Sequence, residues 1–447
     1  MERTAILQLQ EWKNSKSRKP LIIRGARQVG KTTLINIFSK SYRQYVYLNL
    51  ERPEHKRYFE EFEDVKDIIT AIFLKFELED NFDNTLIFID EIQESPKAIA
   101  LLRYFYEDFP ALHVIAAGSL LEFALDQVKN FPVGRVQYLY MFPLNFREFL
   151  SALGKKSALK ALDTVPISAT AHKILLGYFN IYAILGGMPE IVKRYIETGS
   201  MINLHDIYEG IWSTYRNDVK KYAKNDTEEK VIYHVISSAH NFLDERITFQ
   251  NFGNSNYRSR EVGEAFRSLD DAKVIQLIYP TTEVYFPIKT DYNKKPRMQF
   301  LDSGLVNYAL KIQHELVELQ DLSEAYRGAL IPQLVTQELI SLNSFSYEKP
   351  HFWVREKKQS SAEVDLVVYH NGMVIPIEIK SGKIGKLKSL HQFMEQCPHH
   401  YAIRMYAGEF EVSKIETASE KPFILLNLPY YLGTKIKEYA AWLCQNY

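Results

Sequence analysis

An α/β protein of several domains is written into this sequence by three observations. Apolar, β-rich runs alternate with helical stretches over the first 150 residues. A glycine-rich turn joins the first of those runs to a helix, and a second α/β stretch near the C-terminus is built around an Asn-Gly pair. Strands separated by helices imply a parallel sheet covered on both faces. At 447 residues the chain has room for two to four domains.

Each element follows from its local pattern. "PLIIRG" reads as a buried strand, then comes the turn, then the helix "KTTLINIFSKSY". "QYVYLNLE" is a second strand and "VKDIITAIFLKFELED" a helix; "TLIFIDE", "HVIAAGS" and "RVQYLYMFPL" supply three more strands. These make residues 1–150 a P-loop-type parallel-sheet domain. Residues 151–225 read as a helical lid or linker, interrupted at Gly186-Gly187. Residues 226–315 read as a winged helix. There "VIYHVISSAHNFL" and "SREVGEAFRSLDDAKVIQLIYP" precede two strands, "EVYFPIK" and "RMQFLD", around the basic "KTDYNKKPR". Residues 316–447 form a C-terminal α/β domain: a helix in "GALIPQLVTQELISL", strands, a hairpin and a closing α/β stretch.

Composition narrows the function classes. Hydrophobic content of 46% and charged content of 25% are ordinary for full cores. A net charge of zero gives no bulk field toward nucleic acid or membrane, so any basic surface is local. Two cysteines, Cys397 and Cys444, exclude a disulfide scaffold and fit a reducing compartment. The N-terminal stretch has no signal-peptide core, and the longest uncharged run, "ILLGYFNIYAILGGMP", is broken by Gly, Asn and Pro. The expectation is a cytoplasmic protein with no membrane partner.

"GARQVGKTT", residues 25–33, matches G-x-x-x-x-G-K-[ST] between a strand and a helix. Gly25 and Gly30 permit a backbone that aims N–H groups at phosphate oxygens. Ala26, Arg27, Gln28, Val29 and Thr33 complete the loop, and the helix N-terminus adds its dipole. Lys31 is positioned for the β- and γ-phosphates of ATP, and the Thr32 hydroxyl for Mg²⁺. Asp90 and Glu91 end the apolar strand "LIFIDE", at the strand terminus where open α/β sheets bind ligands. Asp90 is the second Mg²⁺ residue; Glu91 is the base for the attacking water. Ser119 is either a γ-phosphate sensor or an ordinary strand-end serine. Arg135 is either an arginine finger, supplied in trans by a neighbouring subunit, or an exposed structural arginine. Arg24 flanks the loop.

Together "LIIRGARQVGKTTLI", "TLIFIDEIQ", "AAGSLLEFAL", "GRVQYLYMFPLNFREFL" and "GGMPEIV" resemble a prokaryotic group of AAA-type ATPases. Members of that group carry a C-terminal domain of unknown function similar to a PD-(D/E)XK nuclease. "QFLDSGLVNYAL" and "AEVDLVVYHNGMVIPIEIKSG" extend the resemblance over nearly the whole chain. It implies ATP binding, ATP hydrolysis and a homo-oligomer, and does not name a substrate.

The winged-helix reading offers "SREVGEAFRSLDDAKV" as a DNA-recognition helix, with Arg260 and Arg267. Lys289, Lys294, Lys295 and Arg297 would sit on the wing, near phosphates. Glu261, Glu264, Asp270 and Asp271 oppose that, and a lid or assembly surface is the alternative.

In the C-terminal domain, "EVDLVVYHNGMVIPIEIK" is a hairpin signal with Asn371-Gly372 as the turn. His370 then pairs with Met373, Asp365 falls opposite Glu378, and Glu363 opposite Lys380. Alternation puts these four on one face and Val364, Leu366, Val368, Ile375, Ile377 and Ile379 on the buried one. Pro376 requires a gap, edge or bulge in the pairing. Facing carboxylates repel unless a cation lies between them, and oxygen ligands suit Mg²⁺ or Mn²⁺. Lys380 would polarise a phosphate. Asp365…Glu378-x-Lys380 resembles the PD-(D/E)XK signature, with only the Asp of its leading pair. The resemblance implies a helix glutamate as a further metal ligand, and Glu338 matches it. The plainer alternative is solvated acids with a Glu363–Lys380 salt bridge. Two functions follow: an ATP-driven machine with a nuclease-like, DNA-processing module, or a nucleotide-switched scaffold whose nuclease-like domain is inactive.

Overall fold

A computed structural model of the chain describes residues 3–119, 121, 128, 134–313, 315, 328–357, 360–382 and 387–447. Most of "LLEFAL", the start of "FPVGRV" and the expected boundary near residue 316 lie outside the described residues.

The first sheet holds β1 (Leu21–Arg24), β2 (Gln44–Asn49), β3 (Thr85–Asp90), β4 (His113–Ala117) and β5 (Gln137–Tyr140). Its order is β2-β3-β4-β1-β5, and every pairing is parallel. Alternate residues reach opposite faces. Leu21, Ile23, Leu86 and Phe88 enter one core with the helices Ala5–Asn14 and Lys31–Phe38. Ile22, Ile87, Ile89 and Val114 enter another with the helices Pro53–Glu61, Val65–Lys75 and Pro96–Asp108. Both faces are covered, which is why these strands read as unbroken apolar runs.

A helical segment follows. Among the described residues no single helix is long and apolar enough to cross a membrane; the helices Ala169–Leu185 and Pro189–Thr198 meet at a bend of 119°. The bend is at Gly186-Gly187. A Cβ on Gly187 would lie 1.9 Å from the Leu144 carbonyl oxygen. The Leu144 N–H donates to the Gly187 carbonyl at 2.7 Å. The Gly187 N–H donates in turn to Asp302 at 2.5 Å. Asp302 also caps the helix Ser303–Ala309 through the Leu305 N–H.

In the middle segment the helices Asp226–Ser238 and Ser259–Asp271 lead to β6 (Ile275–Ile278). β6 pairs antiparallel with β8 (Arg297–Phe300) as a two-stranded sheet. "EVYFPIK" is not a strand. β7 (Pro280–Thr281) pairs with β9 (His351–Lys357) of the C-terminal sheet. Thereafter only an isolated bridge, Tyr285 with Met373, is formed. The Asp291 N–H donates to the Pro280 carbonyl at 2.8 Å, closing the excursion as a loop against that sheet.

The second sheet adds β10 (Ser360–His370), β11 (Met373–Ile379), β12 (Tyr401–Tyr406), β13 (Glu411–Glu416) and β14 (Pro422–Pro429). Its order is β13-β14-β12-β11-β10-β9-β7. The fully buried helix Leu330–Ile340 and the helix Ile436–Asn446 cover one face. Lys388–Met394 covers the other. One apolar core runs from Leu21 and Leu139 through Tyr182 and Leu269 to Leu334, Ile377 and Leu426.

The hairpin turns at Asn371 (φ 46°) and Gly372 (φ 79°), with His370 opposite Met373 and pairing as far as Leu366 with Ile377. Pro376 sits one residue before the β11–β12 ladder begins at Ile377, so its missing donor costs no bond there. Past Leu366 the expected alternation fails. A register shift between Val364 and Val367 on the β9 side turns Val364 into the small core with Trp353 and Phe393. Leu366 and Val368 stay in the large one.

Candidate functional site

The phosphate loop lies between β1 and the helix Lys31–Phe38. Gly25 (φ 148°) and Gly30 (φ 93°) take backbone conformations that L-residues avoid. Gly25 also meets a close approach: a Cβ there would lie 2.2 Å from the Met141 carbonyl oxygen. Lys31 is buried, and its Nζ donates to the carbonyls of Gly25 and Ala26, each at 2.9 Å. Burial lowers its pKa to about 8, against the raising effect of Glu91 and Asp90.

The Thr32 hydroxyl donates to Asp90 Oδ2 at 2.7 Å, and the Tyr47 hydroxyl to the same oxygen at 3.2 Å. Burial raises the Asp90 pKa, opposed by the Thr32 hydrogen bond. Glu91 is left-handed (φ 51°) and accepts from Gln93 Nε2 at 2.6 Å. The Ser119 hydroxyl is buried with no hydrogen-bond partner among the described residues.

Gln28, Gly30, Lys31, Thr32, Thr33, Glu91 and Ser119 line one cavity of about 680 Å³, within the range that holds a nucleotide. Its opposite wall comes from Leu144, Pro189, Glu190 and Lys193. Thr32 and Asp90 present hydroxyl and carboxylate oxygens side by side, a hard-oxygen pair that fits Mg²⁺.

Arg27 forms an ion pair with Asp218 at 2.7 Å, and its carbonyl accepts from the Tyr215 hydroxyl at 3.0 Å. Both partners belong to the helix His205–Tyr222. Arg3 also reaches the loop: it donates to the carbonyls of Val29 (3.1 Å) and Phe142 (2.5 Å) and pairs with Glu148 at 3.2 Å. Nothing local in the sequence signals Arg3, Tyr215 or Asp218, because they meet the loop only through tertiary packing. Arg24 stacks on Tyr138, 4.1 Å from its ring centre. Arg135 pairs with Glu107 at 2.9 Å and is not among the cavity's lining residues.

At the far end of the C-terminal hairpin the acids are gathered, but not as a metal site. Asp365 Oδ2 accepts the Ile379 N–H at 2.7 Å, and Lys380 Nζ reaches Glu378 Oε1 at 2.6 Å. Glu363 does not meet Lys380. It binds Arg297, which is buried on β8 of the two-stranded sheet and faces these carboxylates rather than an open surface. Arg297 also lies 3.3 Å from Asp365 Oδ1 and 3.7 Å from Asp244. Burial pushes Asp244 up to about 7. Burial and the neighbouring Asp365 raise Glu378.

Glu338 is directed elsewhere. It accepts the Phe146 N–H at 3.0 and 3.1 Å and lies 2.7 Å from the Tyr182 hydroxyl. Burial raises its pKa to about 8. Among the described residues no group of three or more His, Cys, Asp or Glu is arranged to hold a metal. Of the oxygens expected for Mn²⁺, Asp365 Oδ1, Asp365 Oδ2 and Glu378 Oε1 are held by Arg297, the Ile379 N–H and Lys380. Glu378 Oε2 is buried with no hydrogen-bond partner among the described residues. With Glu338 directed elsewhere, one open oxygen does not make a set that fits the ion. On the expected recognition helix Arg267 pairs with Glu264 at 2.6 Å. Lys294 and Lys295 frame an open cavity of about 600 Å³ with Arg246, Asp291 and Asn293.

Comparison with known proteins divides the chain into three matched segments. Residues 17–150 match an AAA domain. Residues 177–316 and 327–429 match two domains of unknown function, DUF8612 and DUF4143. No curated protein matches the chain. Among the solved structures that match, two are similar over part of their length. C. elegans PCH-2 is 12% identical with a TM-score of 0.25, covering 42% of this chain and 58% of that one. A signal transduction ATPase with numerous domains and a tetratricopeptide repeat sensor, from Pyrococcus horikoshii, is 13% identical with a TM-score of 0.27, covering 77% of this chain and 48% of that one. The chain thus spans less than two thirds of either structure. Both likenesses are too slight to carry an argument; the AAA match and the phosphate-loop geometry support a P-loop AAA-type ATPase segment.

Proposed function

We propose that this protein binds and hydrolyses MgATP at the phosphate loop and uses that cycle to alter how its nuclease-like C-terminal module engages a partner. The observation that carries the reading is the Thr32–Asp90 hydrogen bond at the edge of a cavity lined by Thr32 together with Lys31, Glu91 and Ser119. In this reading residues 1–150 are the motor, 151–225 the lid, 226–315 a winged-helix-like coupler and 316–447 the module. The setting is the cytoplasm.

The loop N–H groups, from Gly25 through Thr33, cradle the phosphates. Lys31 exchanges the Gly25 and Ala26 carbonyls for phosphate oxygens; burial lowers its pKa, but only to about 8, so it is still mostly charged at neutral pH. Thr32 and Asp90 hold Mg²⁺, which neutralises charge on the phosphate oxygens when bound. Glu91 orients the attacking water and takes its proton, Ser119 donates to the γ-phosphate, and Arg135 serves a neighbouring copy in a homo-oligomer as its arginine finger. The test is direct. Glu91→Gln should retain ATP binding and lose hydrolysis by about a hundredfold or more, whereas Lys31→Ala should lose binding. A Lys31→Ala protein that turns over ATP normally would refute the assignment.

A second reading, DNA contact, is favoured by the loop that replaces "EVYFPIK". Tyr285, Phe286 and Tyr292 are exposed there, and Phe286 packs at 4.5 Å on Tyr369, exposed on the adjacent strand β10. Lys289 and Lys295 lie on the same exposed loop. Aromatic faces beside lysines suit unstacked bases and phosphates. Binding to an oligonucleotide that weakens with salt and with Tyr292→Ala would support it; binding unchanged by either would count against it.

A further inference from the structure

The carboxylates of the C-terminal hairpin already have a cation. Arg297 stands on β8, held by pairing with Ile278 of β6, and its guanidinium lies 4.7 Å from the ring centre of Phe352. All three of its nitrogens are engaged. Nε donates to Glu363 at 2.8 Å, and Nη2 to Glu363 and, at 3.3 Å, to Asp365. Nη1 reaches the Asp365 carbonyl at 3.4 Å and Asp244 at 3.7 Å. Arg246 approaches Glu363 at 3.8 Å, and Lys380 holds Glu378. Four carboxylates (Asp244, Glu363, Asp365, Glu378) thus face three cations (Arg297, Arg246, Lys380).

We infer that Arg297 is the resident counter-ion of this cluster, and that the cluster is a socket docking the middle segment onto the C-terminal sheet in place of a divalent-metal site. The inference rests on reading the module as nuclease-like only in that this reading supplies the metal alternative. Three facts carry it. A metal between Asp365 and Glu378 would need Asp365 Oδ1, which Arg297 holds, or Oδ2, which caps the Ile379 N–H. It would also sit against the buried guanidinium of Arg297, held in place by Glu363 and Asp365. The helix glutamate that would complete a metal set, Glu338, is committed to Phe146 and Tyr182. A planar, permanently charged fork suits such a socket better than a lysine would. The socket joins the two segments that match separate domains of unknown function, residues 177–316 and 327–429.

Two measurements on the full-length chain test it. The first follows Mn²⁺ binding without nucleotide by electron paramagnetic resonance. Wild type and Asp365→Asn should bind alike, Arg297→Gln should gain one site about tenfold tighter or more, and Arg297→Gln with Asp365→Asn should lose it. Wild-type Mn²⁺ binding as tight as that of Arg297→Gln, and abolished by Asp365→Asn, would overturn the inference. The second is thermal unfolding of Asp365→Asn in EDTA, which decides the matter even if Arg297→Gln fails to fold. A socket loses a partner of a buried arginine and melts several degrees lower. An unfilled metal site loses a like-charge repulsion and melts at the same temperature or higher, an outcome that sinks the socket. Neither measurement depends on ATP, so failure of the ATPase reading would appear separately, in turnover.

Discussion

Glu338 carries an ionisation that couples the C-terminal segment's stability to pH. Its carboxyl has an ordinary value of 4.5 in the unfolded chain and about 8 when buried against Phe146 and Tyr182. The folded protein therefore keeps a proton that the unfolded chain releases. The stability tied to that proton is complete below about 4.5 and is lost as pH rises through about 8, on the order of a few kcal/mol in all. Glu338→Gln should flatten this part of the stability–pH profile, because the amide still accepts from Phe146 and donates toward Tyr182. Chemical denaturation at a series of pH values checks it; an unchanged slope would show that Glu338 is charged in the fold. Gly25→Ala should destabilise by about 2 kcal/mol or more, since its Cβ would meet the Met141 oxygen at 2.2 Å with φ at 148°. At this scale Lys31, Thr32, Asp90 and Glu91 were legible because one loop and one strand end place them. Arg3 and Asp218 were not: their partners are 26 and 191 residues away in sequence.

Elements were legible in proportion to how local their causes are. The hairpin register follows from two residues that accept positive φ, Asn371 and Gly372. Gly372→Val should cost about 1–2 kcal/mol through its left-handed backbone alone, for no atom lies within 4 Å of a Cβ there. Denaturant midpoints measure this, and a neutral result would mean the turn relaxes to another type. The bulge between Val364 and Val367 carries no glycine or proline to announce it, and it moved Val364 to the other core. "EVYFPIK" has strand composition but lies as a loop, because β7 joins β9 and leaves β6 to pair with β8. Gly187→Ala belongs here too. Its Cβ would overlap the Leu144 carbonyl and push the helix Pro189–Thr198 off the nucleotide cavity, so nucleotide affinity should fall with stability.

Across the whole molecule one apolar core connects both sheets. Glu338 of the C-terminal segment holds Phe146, at the start of the helix Phe146–Ala152, which follows the first sheet directly. Arg297 of the middle segment is held by Glu363 and Asp365. Segments that match separate families therefore share buried polar and apolar contacts, and independent unfolding would strand them. Calorimetry should show a single transition whose calorimetric and van't Hoff enthalpies agree; two resolved transitions would mean the shared core is energetically minor.

The strand–turn–helix of residues 21–38, the acids ending β3 and the Asn-Gly turn were determined by the chain alone, because each needs only neighbours a few residues away. Periodicity, glycine conformation and helix-end electrostatics act at that range. Which cation the hairpin carboxylates hold was decided only in three dimensions. Arg297 lies 66 residues before Glu363, and Glu338 could serve either the hairpin or Phe146. A buried charge takes whichever partner packing brings within hydrogen-bond reach, and no spacing along the sequence encodes that choice.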